Sequence, residues 1–299
     1  MADAVLKVLD QQGQSKMPQP VGKIDNRSIP GPGGSIPIRV YSPQGNGLFP
    51  IIVYYHGGGW VMATIDTYDA SARALSNAAN AIVVSVEYRK APEHRFPAAH
   101  ADAYAAYEWA RKNGRGINGD PSMVAVAGES AGGNLAGAVS MIARQQHQAL
   151  PVHQILIYPV TGYDIDTPSY RKHAQAQPLN KAMMAWFFEK YLNSLADANY
   201  PMIALTKAQD LQGLPPTTIL TAEIDPLQSD GTQYADRLRE AGVPVTYQNY
   251  EGVTHEFFGT GAVVPAAKKA VHLAGQQLRQ AFAIGDRSTQ SSADQETGK

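Results

Sequence analysis

The most restrictive feature of this 299-residue chain is the pentapeptide Gly128-Glu129-Ser130-Ala131-Gly132 and its setting. The apolar run Met123–Ala127 leads into it, and a stretch of helical periodicity, Gly133–Gln145, follows at once. A chain that leaves a strand and enters a helix within so few residues must turn sharply. Small residues on both sides of a serine allow that turn, and it lifts the hydroxyl above the carboxyl end of a sheet. The Ala131 N–H, at the start of the helix, is then available to a developing oxyanion. Taken alone, the five residues also fit a glycine-rich turn whose serine caps a helix; their position between strand and helix favours a nucleophile. A phosphate loop is disfavoured, because no Lys-Ser or Lys-Thr follows Gly132-Gly133.

The rest of the chain supplies the expected surroundings. Short β-branched and aromatic runs stand at Ile36–Tyr41, Pro50–Tyr55, Ala81–Glu87, Met123–Ala127, Gln154–Tyr158, Thr217–Ala222 and Val245–Tyr250. Helical periodicity fills most of the intervals, at Tyr68–Ala79, Ala98–Lys112, Gly133–Gln145, Gly231–Ala241 and Ala266–Ala281. This alternation predicts an α/β fold with a mostly parallel central sheet covered by helices on both faces. Two segments break it. Residues 1–34 precede the first run and end in Pro30-Gly31-Pro32-Gly33-Gly34, and residues 161–214 are far longer than one crossover needs. Together they are expected to form a cap over a catalytic domain made of 35–160 and 215–284. Within the second, Asn180 reads as a helix N-cap ahead of Met183, Met184, Trp186, Phe187, Phe188 and Tyr191. The polar tail 285–299 is expected to be disordered.

Composition removes whole classes of function. Lys and Arg number 25 against 26 Asp and Glu, so there is no basic footprint for nucleic acid. Zero cysteines exclude disulfides, thiolate metal sites and thiol nucleophiles. The first twelve residues carry Asp3 and Asp10 and lack the pattern of a secretory signal, and no stretch approaches 18 apolar residues. A cytoplasmic protein without a membrane partner is the expectation.

A serine nucleophile needs a base and an acid to orient it. Immediately after the strand Pro50–Tyr55 comes His56-Gly57-Gly58-Gly59-Trp60. Three consecutive glycines make sense where backbone N–H groups must turn inward together, as in an oxyanion hole, although a flexible turn has the same composition. His56 lies before the serine, whereas the expected order is Ser, acid, His, so it reads as a structural hydrogen-bonder. Of the downstream histidines, His147 falls on the helix after the turn, His153 opens a strand, His173 lies in the insert and His272 on the last helix. His255 follows the last strand, in the loop where a base should hang. Its partner should end the preceding strand, where Glu223 and Asp225 both occur; Asp225, made rigid by Pro226, is the better acid. His94 and His100 lack a third metal ligand, and Asp164 and Asp166 lack the glycine and glutamate of a calcium loop.

These residues resemble the bacterial hormone-sensitive-lipase-like carboxylesterases of the α/β-hydrolase fold. The resemblance is carried by His56-Gly57-Gly58-Gly59-Trp60, by Tyr88–Ala99, by Gly128–Gly133 and by Asp225-Pro226-Leu227, and it spans about residues 35–283. It implies ester hydrolysis without cofactor or metal under a helical cap. The nucleophile would be Ser130, the acid Asp225 and the base His255, with Gly58, Gly59 and Ala131 giving the oxyanion N–H groups. The chain departs from the pattern at Lys90, at Glu129 where Asp is more frequent, and at Glu256 where a Gly is usual. Glu256 would narrow the mouth of the site beside His255.

The expected activity is hydrolysis of short- to medium-chain acyl esters, with Trp60, Met183, Trp186 and Phe187 lining the substrate pocket. The alternatives are an amidase or peptidase using the same triad, or a non-catalytic small-molecule receptor of the same fold. The last strand, Val245–Tyr250, is an exposed edge on which a homodimer could pair.

Overall fold

The computed structural model describes residues 19–261 and 263–296, with side chains to residue 283. Eight strands form one sheet: β1 (Lys23–Gly31), β2 (Gly34–Ser42), β3 (Phe49–Tyr55), β4 (Ile82–Val86), β5 (Gly119–Glu129), β6 (Gln154–Ile157), β7 (Thr217–Ile224) and β8 (Val245–Thr254). Their order is β1-β2-β4-β3-β5-β6-β7-β8, antiparallel through β1, β2 and β4 and parallel from β4 to β8.

Every residue of β4 and most of β3 and β5 is buried, as strands covered on both faces must be. The two-residue alternation survives in which core each side chain enters. Ile51, Val53 and Tyr55 join the core on one face, and Ile52 and Tyr54 join the other. The first core is closed by α2 (Ala98–Asn113), α3 (Ala131–Gln145), α6 (Gln228–Glu240) and the 161–214 insert. The second is closed by α1 (Asp69–Ala79) and α7 (Pro265–Glu296). Among the described residues no helix is long and apolar enough to cross a membrane.

Two expectations need correction. Residues 23–31 are an edge strand hairpinned to β2, not part of a cap; the sequence hid it because only Ile29 of the nine is buried, so no apolar alternation marks it. Pro30 is tolerated there because the strand is an edge. The first 18 residues lie outside the described residues. The last helix continues to Glu296 through most of the polar tail expected to be disordered; residues 297–299 lie outside the described residues. As expected, β8 is the other edge of the sheet.

The insert carries α4 (Pro168–Lys172) and α5 (Lys181–Tyr191). Asn180 caps α5 as its sequence suggests, its side chain accepting from Met183 N at 3.0 Å. The segment Tyr88–Ala99 fixes this insert in place. Arg89 grips the fully buried Asp102 in a bidentate pair, Nε to Oδ2 at 2.9 Å and Nη2 to Oδ1 at 2.8 Å. Further along, Arg95 donates to the Leu192 and Glu189 carbonyls and Phe96 N donates to Tyr191 O, so the end of α5 is held to the main domain.

Candidate active site

The carboxyl ends of parallel strands share one edge of the sheet, and the candidate residues all sit there. The triple-glycine loop leaves β3, Ser130 leaves β5, Asp225 leaves β7 and His255 leaves β8. Residues far apart in sequence therefore meet without any segment having to travel.

Ser130 has φ +56° and ψ −118°, a left-handed conformation that costs a non-glycine residue about 1–3 kcal/mol. The surroundings hold it there. Its N–H donates to Ile157 O at 2.9 Å, and its carbonyl accepts from Asn134 N and Val160 N. The glycines on either side of the elbow answer a packing demand: a Cβ on Gly132 would collide with the Tyr55 carbonyl, and one on Gly128 with the backbone of Gly132. Ala131 opens α3, which aims a helix N-terminus at the site.

Opposite lies the loop His56–Trp60, with φ +99° at Gly58 and +61° at Gly59. His56 is structural. Its Nδ1 donates to Gly57 O at 2.7 Å, its ring stacks on Tyr88 at 4.3 Å, and burial pushes its pKa down to about 4, which keeps it neutral. His100 is likewise occupied, by Tyr191 OH and Asn134 Oδ1. Among the described residues no group of three or more metal-ligating side chains converges.

His255 is buried with Nδ1 2.7 Å from Asp225 Oδ2, while Asp225 Oδ1 accepts from Leu227 N at 2.8 Å. Glu223, the competing acid, is engaged elsewhere, accepting from Gly252 N. Burial pushes the imidazole pKa down, but the charge and hydrogen bond of Asp225, with help from Glu256 and Glu129, outweigh it and leave it above the ordinary histidine value. Glu129 lies behind the site, buried, and accepts from Tyr54 OH at 2.5 Å and from Tyr158 OH; the Tyr158 ring in turn rests 4.5 Å from the His255 ring.

Ser130 and His255 face one small cavity of about 20 Å³, walled by Gly58, Gly59, Met62, Pro178, Leu179, Met183, Phe187 and Glu256. Of the expected pocket residues, Met183 and Phe187 are therefore present and two are not. Trp60 is fully buried in the core, stacked on Tyr191 at 4.6 Å and beside Phe188. Trp186 is half-buried and packs on Phe187 rather than on the cavity. The helix α5 is buried on two faces: Met184, Phe188 and Tyr191 face the domain core and Met183 and Phe187 face Ser130. Sequence reading passed over Pro178 and Leu179, although an apolar residue just before an N-cap is a recognisable packing signal. Met62 carried none. A larger concavity of about 640 Å³, near Pro30–Pro32 and α2, includes none of Ser130, Asp225 or His255.

Known proteins are similar to this chain in sequence and structure. The sequence profile of the α/β-hydrolase fold family matches residues 52–259. The carboxylesterase NlhH of Mycobacterium tuberculosis is 44% identical over 239 residues, covering 79% of this chain and 75% of that one. An arylesterase of Saccharolobus solfataricus is 36% identical over 245 residues, covering 81% and 79%. In structure, the esterase of Pyrobaculum calidifontis superposes with a TM-score of 0.87 at 36% identity, covering 93% of this chain and 90% of that one. With the elbow, the glycine loop and the buried Asp–His pair on one sheet edge, the chain belongs to the α/β-hydrolase family, in its hormone-sensitive-lipase-like carboxylesterase branch.

Proposed function

We propose that this chain is a serine carboxylesterase for short- to medium-chain acyl esters, with Ser130 as nucleophile, His255 as base and Asp225 as orienting acid. The observation that carries the reading is the 2.7 Å contact between Asp225 and His255 Nδ1, with His255 and the strained Ser130 facing one cavity. That contact fixes the tautomer. Nδ1 carries the proton, so Nε2 is free to accept one. Ser130 Oγ attacks the ester carbonyl as its proton passes to Nε2, and the oxyanion is held by the N–H groups of Gly58, Gly59 and Ala131. Collapse breaks the ester C–O bond, and the imidazolium returns its proton to the leaving alkoxide. Water then repeats the sequence on the acyl-enzyme and releases the acid.

The cavity sets the substrate size. Each buried methylene adds about 0.8 kcal/mol of binding until the chain meets the wall. Here the wall is Leu179, Met183 and Phe187, and α5 is held to the main domain by Arg95 and Phe96. The test is kcat/KM for nitrophenyl esters from about two to sixteen acyl carbons, as monomers and as emulsions. A maximum at short to medium length is expected. A maximum at the longest chains, or activation by an emulsion, would assign a lipase instead; matched anilides hydrolysed faster than esters would assign an amidase.

The acid limb of the same assay follows from the imidazole. Protonated His255 cannot accept the serine proton, and its neighbours favour protonation. As pH falls, kcat/KM should therefore decline through a midpoint above the ordinary histidine value of about 6.5. A flat profile down to about pH 4 would show that the base is not a histidine.

A further inference from the structure

Glu256 stands where the backbone has φ +68°, a region in which glycine is at home and a glutamate is strained. The residue nevertheless lines the cavity shared by Ser130 and His255. Oε1 accepts from Tyr68 OH at 2.7 Å, and the same oxygen lies 3.6 Å from His255 Nε2. Asp225 faces the opposite ring nitrogen, and Glu129 is held behind the cavity by Tyr54 and Tyr158.

From this placement we infer that Glu256 is a specificity-determining residue, which biases the enzyme toward esters of cationic alcohols and against esters of anionic ones. The inference rests on the esterase reading above. To receive its proton the leaving oxygen must come within about 3 Å of His255 Nε2, so it lies no more than about 7 Å from Glu256 Oε1. A charge on the alcohol two or three bonds further out then lies within about 10 Å of that oxygen. At an effective dielectric of about 20, unit charges so separated interact by a few times RT, and the imidazolium formed in the transition state offsets part of that. A preference of roughly tenfold for each sign of charge remains.

The experiment compares kcat/KM for acetylcholine, for its uncharged isostere 3,3-dimethylbutyl acetate and for the anion 3-acetoxypropanoate. Where turnover is too slow to read, each is measured as a competitive inhibitor of nitrophenyl acetate hydrolysis. In the native enzyme the cation should be favoured over its isostere by about tenfold and the anion disfavoured by about as much. Glu256→Gln keeps the shape and removes the charge, and Glu256→Gly also relieves the positive φ; both should bring the cation-to-isostere ratio close to one. The same ratio in all three proteins, or a native enzyme that prefers the anion, overturns the inference. Nitrophenyl acetate separates this outcome from failure of the esterase reading: if no Ser130-dependent hydrolysis of it occurs, that reading fails, whereas hydrolysis with unmoved ratios sinks only the role of Glu256.

Discussion

Replacing Ser130 by alanine is expected to lower kcat by about 10⁶ while leaving the fold intact, because the members of a triad act as a unit. The structure separates the two effects. What holds the elbow is backbone: Ser130 N–H to Ile157 O, and the Ser130 carbonyl to Asn134 and Val160. Alanine keeps all of these and loses only Oγ. It inherits the same φ of +56°, with no greater strain than serine has. The Asp225–His255 pair and the glycine loop also remain, so residual turnover over water would measure the oxyanion N–H groups and substrate binding alone. The check is single-turnover and steady-state kinetics on the purified variant, with circular dichroism and thermal melting compared to the native enzyme. Activity above a few per cent of native, after contamination is excluded by active-site titration, would mean that a different group attacks the ester.

How far the site could be read from sequence follows from how each part is encoded. The candidate triad and its loop were legible because they are tied to strand ends, and strands buried on both faces announce themselves as apolar runs, as Ile82–Val86 does. Parallel strands bring their carboxyl ends to one edge, so order along the chain was enough to assemble Ser130, Asp225 and His255. The edge strand Lys23–Gly31 was illegible for the opposite reason: its side chains are mostly exposed, and its partner on β2 fixes it rather than its own pattern. Pocket assignments are ambiguous where both readings are apolar. Trp60 and Phe187 are equally consistent with core and cavity, and only the packing of α5 on the main domain sends Trp60 into the core and Phe187 over Ser130. Glu256 was visible as a departure from the family's glycine, but its Tyr68 partner lies 188 positions away and left no local trace.

Asp225→Asn should cost about 10⁴ in kcat, and the reason lies in a single backbone N–H. Leu227 N donates to Asp225 Oδ1 at 2.8 Å. An asparagine can keep that bond only by placing its carbonyl oxygen there, which turns its NH₂ toward His255. The imidazole must then accept at Nδ1 and carry its proton on Nε2, the tautomer that cannot take the serine proton. The reverse orientation would face the amide NH₂ with the Leu227 N–H, donor against donor, in a site where Asp225 is fully buried. Without the carboxylate, burial dominates the imidazole and its pKa should fall, so the remaining activity should have an acid limb displaced to lower pH than the native enzyme's. Measured kcat and its pH profile decide the matter together. A variant retaining more than about a tenth of native kcat, or one whose acid limb does not move, would mean that another carboxylate orients His255. Glu223 is the neighbour to test in that event, and it would first have to give up its bond to Gly252 N.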